Sequence, residues 1–211
     1  MRKKLLSVAA ALVMIVVCLT GCSGSKSFDS RAFIKTAKKF GMTQSDTYRD
    51  FVRGITSGDP ALSSAFYASE NSEDAAALHA ANYLAGTGPF PDIQITEFVI
   101  CCDVKLIETD GYNSLTELQF ITAADKKSAD ELFDAFCIAF PEADTASGDK
   151  NGCTYTIKYM AAETRRVAMG VYQKGNTIIY INNMGDSVKE NNCCEFFCKD
   201  LGLVSPLTLN K

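Results

Sequence analysis

Alternation of apolar and polar residues predicts β-strands through the middle and the C-terminal half of the chain. In the segment Ile93–Ile107, every second residue from Phe98 onward is apolar, so one face of a strand would carry Phe98, Ile100, Cys102, Val104 and Leu106. Four later segments have a similar pattern and are predicted strands: Leu115–Ile121, Cys153–Tyr159, Val167–Tyr172 and Thr177–Ile181. Gly175-Asn176 between the last two suits a tight hairpin turn, because both residues tolerate a positive φ.

Two segments near the ends of the chain share the pattern of a capped amphipathic helix. The first begins at Asp29-Ser30, whose polar side chains can accept from backbone N–H groups, and Gly41 ends it. The second begins at Asp186-Ser187, and Gly202 ends it. Its apolar face carries Cys194, Phe197, Cys198 and Leu201.

Two central segments, Ala65–Leu84 and Leu118–Cys137, also resemble each other. Each has a short strand-like start, a polar step and an alanine-containing amphipathic helix. A degenerate internal duplication of a strand–helix unit is one interpretation, and chance similarity of two amphipathic segments is the other. Either way, the elements predict an α+β fold: an antiparallel sheet with helices packed on one face.

The N-terminal 21 residues have the pattern of a secretory signal peptide. Three positive charges in Met1–Lys4 precede the apolar run Leu5–Leu19, in which Ser7 is the polar exception. This order is typical of a signal peptide, whereas a membrane-spanning helix needs about 20 apolar residues. We expect residues 1–21 to be removed.

The segment Leu19-Thr20-Gly21-Cys22 resembles the lipobox of bacterial lipoproteins, a leucine and two small residues before a cysteine. The resemblance implies that a diacylglycerol is attached to the Cys22 thiol and that the chain is cut just before it. Acyl chains anchor a protein through about 0.8 kcal/mol per buried CH₂. Residues 22–28 would then form a short tether, and residues 29–211 a single extracytoplasmic domain within about 20 Å of the membrane.

The charge of the chain restricts its partners. The formal net charge of the 211 residues is −4, and it becomes −7 when Arg2, Lys3 and Lys4 leave with the signal. An acidic domain is not attracted to phosphate backbones or to anionic lipid surfaces. Nucleic acid is therefore not an expected partner, and membrane binding is expected to depend on the lipid.

Besides the lipobox, the chain contains a capped helix that ends in glycine, a strand followed by a "D…A…LF" helix, "GCTYTIKY", and "GVYQKGNTIIYI" before a last helix. Together these segments resemble small extracytoplasmic lipoproteins of Gram-positive anaerobes. The resemblance implies the same fold and the same location at the outer face of the cell membrane. It implies no catalytic residues.

The residues needed for familiar catalytic sites are sparse. His79 is the single histidine, and its place in a predicted helix favours a structural role, exposed or half-buried. Ser147 and Lys150 match the string S-x-x-K, but they are predicted to lie in a polar loop. We predict no catalytic residues and lean against an enzyme.

Cysteine offers the one alternative chemistry. Cys194 and Cys198 lie four positions apart on one helix face, with Cys193 beside them, so three thiols could take a soft metal with a fourth ligand or act in thiol redox chemistry. Free cysteine is also a common small apolar core residue. Seven cysteines follow Cys22, and whether any of them pair stays open.

The sequence therefore predicts a lipid-anchored extracytoplasmic lipoprotein with a non-catalytic binding domain. Its expected partners are the membrane, through Cys22, and an envelope protein or a small ligand. We predict neither a metal nor a cofactor. The alternative is a thiol redox or metal-handling lipoprotein that uses Cys193, Cys194 and Cys198.

Overall fold

The computed structural model describes residues 27–57, 62–84, 93–106, 113–161, 166–185 and 193–209. The helices are α1 (Ser30–Phe40), α2 (Tyr48–Thr56), α3 (Ser72–Leu84), α4 (Lys126–Cys137) and α5 (Cys193–Leu201). The strands are β1 (Thr43–Gln44), β2 (Ser64–Ser69), β3 (Ile95–Leu106), β4 (Asn113–Ala123), β5 (Asp144–Lys150), β6 (Cys153–Ala161), β7 (Arg166–Lys174) and β8 (Thr177–Met184). A short 3-10 helix, Pro206–Leu209, follows α5.

These strands form one sheet in the order β1-β2-β3-β4-β8-β7-β6-β5. Every neighbouring pair is antiparallel except β1 and β2, which are parallel at one edge. The predicted α+β class is confirmed. The sheet is mixed rather than purely antiparallel because of that one edge pair.

Helices cover both faces of the sheet, so the prediction of helices on one face is wrong. In β3, Phe98 and Ile100 pack in the core formed with α3 and α4, whereas Val99 and Cys101 pack in the core formed with α1 and α5. All four side chains are buried, so both faces of this strand need a cover. The prediction considered one set of alternate residues and missed the apolar residues between them.

We call the two sides the α3–α4 face and the α1–α5 face. Three aromatic rings lie at the centre of the α1–α5 core. The ring centroid of Phe33 is 5.7 Å from that of Phe120 and 5.3 Å from that of Phe197. All three side chains are fully buried. Burial of one such side chain contributes about 1.5–3 kcal/mol, so this cluster is a main contribution to the stability of that face.

The predicted ends of α1 are confirmed. The Asp29 carboxylate accepts a hydrogen bond from the N–H of Arg31 at 3.0 Å, which satisfies a donor of the first turn. Gly41 ends the helix with φ of 99°, a conformation that costs little without a Cβ. Gly202 ends α5 in the same way, with φ of 70°. The predicted start of α5 at Asp186-Ser187 lies outside the described residues.

The S-x-x-K string lies in edge strand β5 and not in a loop. β5 pairs along its whole length with β6, from Asp144 opposite Tyr159 to Lys150 opposite Cys153. Its side chains are mostly polar and exposed, so the strand is held by its backbone hydrogen bonds to β6. For the same reason its sequence lacks the alternation of apolar and polar residues that predicts a strand. Helix α2 was also not predicted, because it is short and buries only Phe51 and Gly54.

The structure does not confirm the internal duplication. Helices α3 and α4 do pack on the same face. However, α3 is followed by β3, the neighbour of the strand that precedes it, whereas α4 is followed by β5 at the far edge of the sheet. The two segments share local pattern without sharing their connections.

Candidate functional site

A cleft of about 320 Å³ opens on the α3–α4 face, between the start of α2, strand β2 and the first turns of α3. We call it the tyrosine cleft. It is lined by Tyr48, Tyr67, Asp74, Ala77 and Leu78. Clefts of about 300 Å³ and larger are the size in which proteins hold small ligands.

The tyrosine walls are set by two elements. Tyr48 is the first residue of α2, and its ring stacks on that of buried Phe51 with centroids 5.9 Å apart. Thr47 caps this helix by accepting from the N–H of Asp50 at 3.1 Å, which fixes where the first turn begins. Tyr67 comes from β2, and its ring is tilted 55° to that of Tyr48 at 6.0 Å. The two rings form a corner.

The carboxylate wall is set by the start of α3. Asn71 accepts from the N–H of Glu73 at 3.1 Å, and the amide of Asn71 lies 3.5 Å from the carboxylate of Asp74. Asp74 lies in the first turn of α3, where backbone N–H groups make the helix end favourable for negative charge. Ala77 and Leu78 lie one turn further along and supply the apolar part of the lining. The cleft therefore combines two aromatic rings, an aliphatic wall and one carboxylate.

A second cleft of about 450 Å³ lies where the described chain begins. The Ser27 hydroxyl donates to the side-chain oxygen of Asn176 at 3.0 Å, and the N–H of Phe28 donates to the Thr177 hydroxyl at 2.9 Å. The amide of Asn176 in turn donates to the carbonyl of Ala123 at 2.7 Å. These contacts fix the start of the domain to the β7–β8 turn, and most of the residues that make them form part of the lining of this cleft.

The predicted cysteine set lies in the α1–α5 core. Cys193, Cys194 and Cys198 are all buried, with at most 1% of each residue exposed. Burial raises the pKa of the Cys193 thiol well above its usual range. A hydrogen bond with Cys198, together with burial, does the same for the pKa of Cys194. A thiol in such a place is mostly protonated at neutral pH, which opposes both metal binding and redox chemistry.

None of the seven cysteines after Cys22 forms a disulfide in the structure. Cys137 packs against the α3–α4 face and Cys153 lies in the α1–α5 core, so the sheet separates them. Within the described ranges, no cluster of histidine, cysteine or acidic side chains could hold a metal ion. The arrangement favours the interpretation of these cysteines as packing residues.

We expect the α5 thiols to be protected in the folded protein. Iodoacetamide should leave Cys193 and Cys194 unmodified under native conditions and modify them in concentrated guanidinium chloride, because alkylation needs an accessible thiolate. Half-buried Cys137 is the internal reference and should react sooner. Peptide mass spectrometry reads each site separately, and rapid native alkylation of Cys194 would restore the thiol alternative.

The α3–α4 core contains a polar group that the sequence analysis missed. Glu117 and Gln119 project toward this face from central strand β4, and the Gln119 amide donates to the Glu117 carboxylate. Burial raises the pKa of Glu117, an effect that this hydrogen bond opposes. Asn182 of β8 lies opposite Glu117 in the β4–β8 pair, and its buried side-chain oxygen has no hydrogen-bond partner among the described residues. The alternation of polar Glu117 and Gln119 with apolar Leu118 was the available signal.

Other candidate residues have structural places. His79 is fully buried, and its ring contacts those of Phe98 and Phe136 edge to face, so the prediction of an exposed or half-buried histidine is wrong.

The Ser147 hydroxyl lies 2.8 Å from the hydroxyl of Thr156. The buried Lys158 ammonium donates to the carbonyls of Cys137 and Ala139, both at 2.6 Å.

The lipobox, Cys22 and the tether as far as residue 26 lie outside the described residues. Among the residues that are described, no helix is both long and apolar enough to cross a membrane. Comparison with protein-family models finds no match, and no curated protein is significantly similar to the chain. The functional interpretation therefore depends on the residues themselves.

Proposed function

We propose that this chain is a lipid-anchored extracytoplasmic lipoprotein whose domain binds a ligand in the tyrosine cleft. The anchor rests on the sequence: Cys22 follows an apolar run of signal-peptide length and a lipobox-like Leu19-Thr20-Gly21. The resemblance to lipoproteins of Gram-positive anaerobes supports the same location.

The tyrosine cleft carries the binding part of the proposal. It brings together Tyr67, with a hydroxyl that no described residue hydrogen-bonds, and Asp74, with a carboxylate that no described residue pairs with in a salt bridge. An aromatic cleft that also presents a hydroxyl group and a carboxylate without a cationic partner is typical of ligand sites. His79 and Ser147, the candidates for catalysis, instead pack against aromatic rings and a threonine hydroxyl.

Anchoring is tested by labelling the full chain with an alkyne-bearing palmitate in a Gram-positive host. We expect the label on the wild-type chain and its loss in Cys22→Ala, because the thiol is the proposed attachment point. Cys18→Ala is the matched control: this cysteine lies four positions earlier, inside the apolar run, and the variant should keep the label. Equal labelling of Cys22→Ala and wild type would contradict the anchor.

A further inference from the structure

We infer that the tyrosine cleft binds an organic cation: an ammonium group carried by a small apolar body. This inference takes from the proposed function only the choice of the cleft as the binding site, and it does not require the anchor.

The described lining of the cleft carries a negative charge. Asp74 is acidic, and none of the five lining residues that the structure describes is basic. The salt bridges among the described residues join other side chains, and none of them involves Asp74. Glu70 and Glu73, both exposed, lie on either side of Asn71, close to the start of α3. An anionic ligand would meet the carboxylate of Asp74 directly, so the cleft selects against anions.

The aromatic corner suits a cation in particular. The face of a tyrosine ring carries negative potential and attracts an ammonium group placed within about 6 Å of the ring centroid. The Tyr48 and Tyr67 centroids are 6.0 Å apart at 55°, so one group placed beside the corner can lie within about 6 Å of both centroids. The stack of Tyr48 on buried Phe51 fixes one wall before a ligand arrives. Ala77 and Leu78 can contact the apolar body.

The test compares two probes of nearly equal shape. Choline and 3,3-dimethylbutan-1-ol differ in one atom, a charged nitrogen in place of a neutral carbon. Titrations are followed by saturation-transfer NMR on the full chain in a non-ionic detergent. We expect choline to bind about tenfold more tightly than the alcohol. A difference of this size is usual when a cation contacts an aromatic ring at a partly desolvated site near a carboxylate. Added salt should weaken the binding of choline alone.

Variants assign the binding to the cleft. Tyr67→Leu should weaken choline binding at least about fivefold, whereas Tyr67→Phe keeps the ring and should change it less than about twofold. Asp74→Asn should weaken choline about three- to tenfold and leave the alcohol unchanged. Asp134→Asn, an exposed acid on α4, is the matched control and should behave like wild type. Thermal melts of each variant confirm that it is folded.

The outcomes separate the inference from the proposed function. Equal binding of choline and the alcohol, both lost in Tyr67→Leu, would keep the cleft as a binding site and overturn its preference for cations. Absence of binding by choline would overturn the inference while leaving the labelling of Cys22 as an independent result. Choline binding unchanged in both Tyr67→Leu and Asp74→Asn would place the cation elsewhere and overturn the inference too.

Discussion

Replacing Gly170 by alanine is expected to lower the free energy of unfolding by about 3 kcal/mol, because the added methyl group has no room. Gly170 lies in β7, and the ring of Tyr172 folds back over it along the same strand face. A Cβ at Gly170 would lie 2.2 Å from the Tyr172 hydroxyl oxygen and 2.6 Å from two of its ring carbons. Tyr172 is fully buried and donates to the carbonyl of Val204 at 2.6 Å, so its ring cannot move without losing that hydrogen bond.

Urea unfolding measures the effect, and two further variants test its cause. Gly148→Ala is the matched control, because a Cβ there would lie 2.8 Å from the Tyr155 hydroxyl. Tyr155 is only half-buried beside an edge strand and can swing outward, so we expect a loss below about 1 kcal/mol. In a Tyr172→Leu background, Gly170→Ala should cost much less than in wild type. An equal cost in both backgrounds would show that the ring is not the cause.

Stability is expected to fall by about 3 kcal/mol between pH 6.5 and pH 4 because of His79. Burial lowers the pKa of His79 to about 4, whereas in the unfolded chain it is near the usual 6.5. Between these values the unfolded chain binds the proton and the folded chain does not, so stability rises with pH. Above pH 6.5 His79 is mostly neutral in both states and costs no stability. The loss of stability grows as the pH falls from 6.5 to about 4.

The measurement is urea unfolding of wild type and His79→Leu at several pH values. The variant should lose the pH dependence that one histidine supplies, even if the substitution also shifts stability by a constant amount. Glu117 acts in the opposite direction because its pKa is raised in the folded state, so Glu117→Gln should make the decline toward acid steeper. A wild-type slope in His79→Leu would disprove the assignment, and His79→Gln provides a second, polar replacement.

The elements predicted correctly are those with local signals. The cap at Asp29 and the end at Gly41 depend on residues of one helix, and the turn at Gly175 depends on residues of one hairpin. Neighbouring residues were therefore enough to predict them. The second helical layer depends on Val99 and Cys101 being buried as well as their neighbours. An apolar residue in a strand does not indicate which element will cover it, so this layer was missed.

The tyrosine cleft could not be predicted from spacing. Tyr48 and Tyr67 are 19 positions apart in the sequence, and the three residues Tyr48, Tyr67 and Asp74 lie in three different elements. They meet because β2 pairs with β3 and because α2 and α3 pack beside β2. Lys158 shows the same limit: its charge suggests a surface residue, but it lies buried against the carbonyls of Cys137, the last residue of α4, and of Ala139 just beyond the helix. Such contacts depend on tertiary packing.

The two edges of the sheet bear on how copies of the domain behave when crowded together. An exposed strand with unpaired N–H and C=O groups can recruit the same strand of another molecule and start aggregation. One edge here is β1, which has only two residues, both polar and exposed. The other is β5, with exposed Asp144, Asp149 and Lys150. A short edge and a charged edge resist strand addition, so copies of a domain anchored to a membrane, as we propose, can remain unassociated when they are crowded.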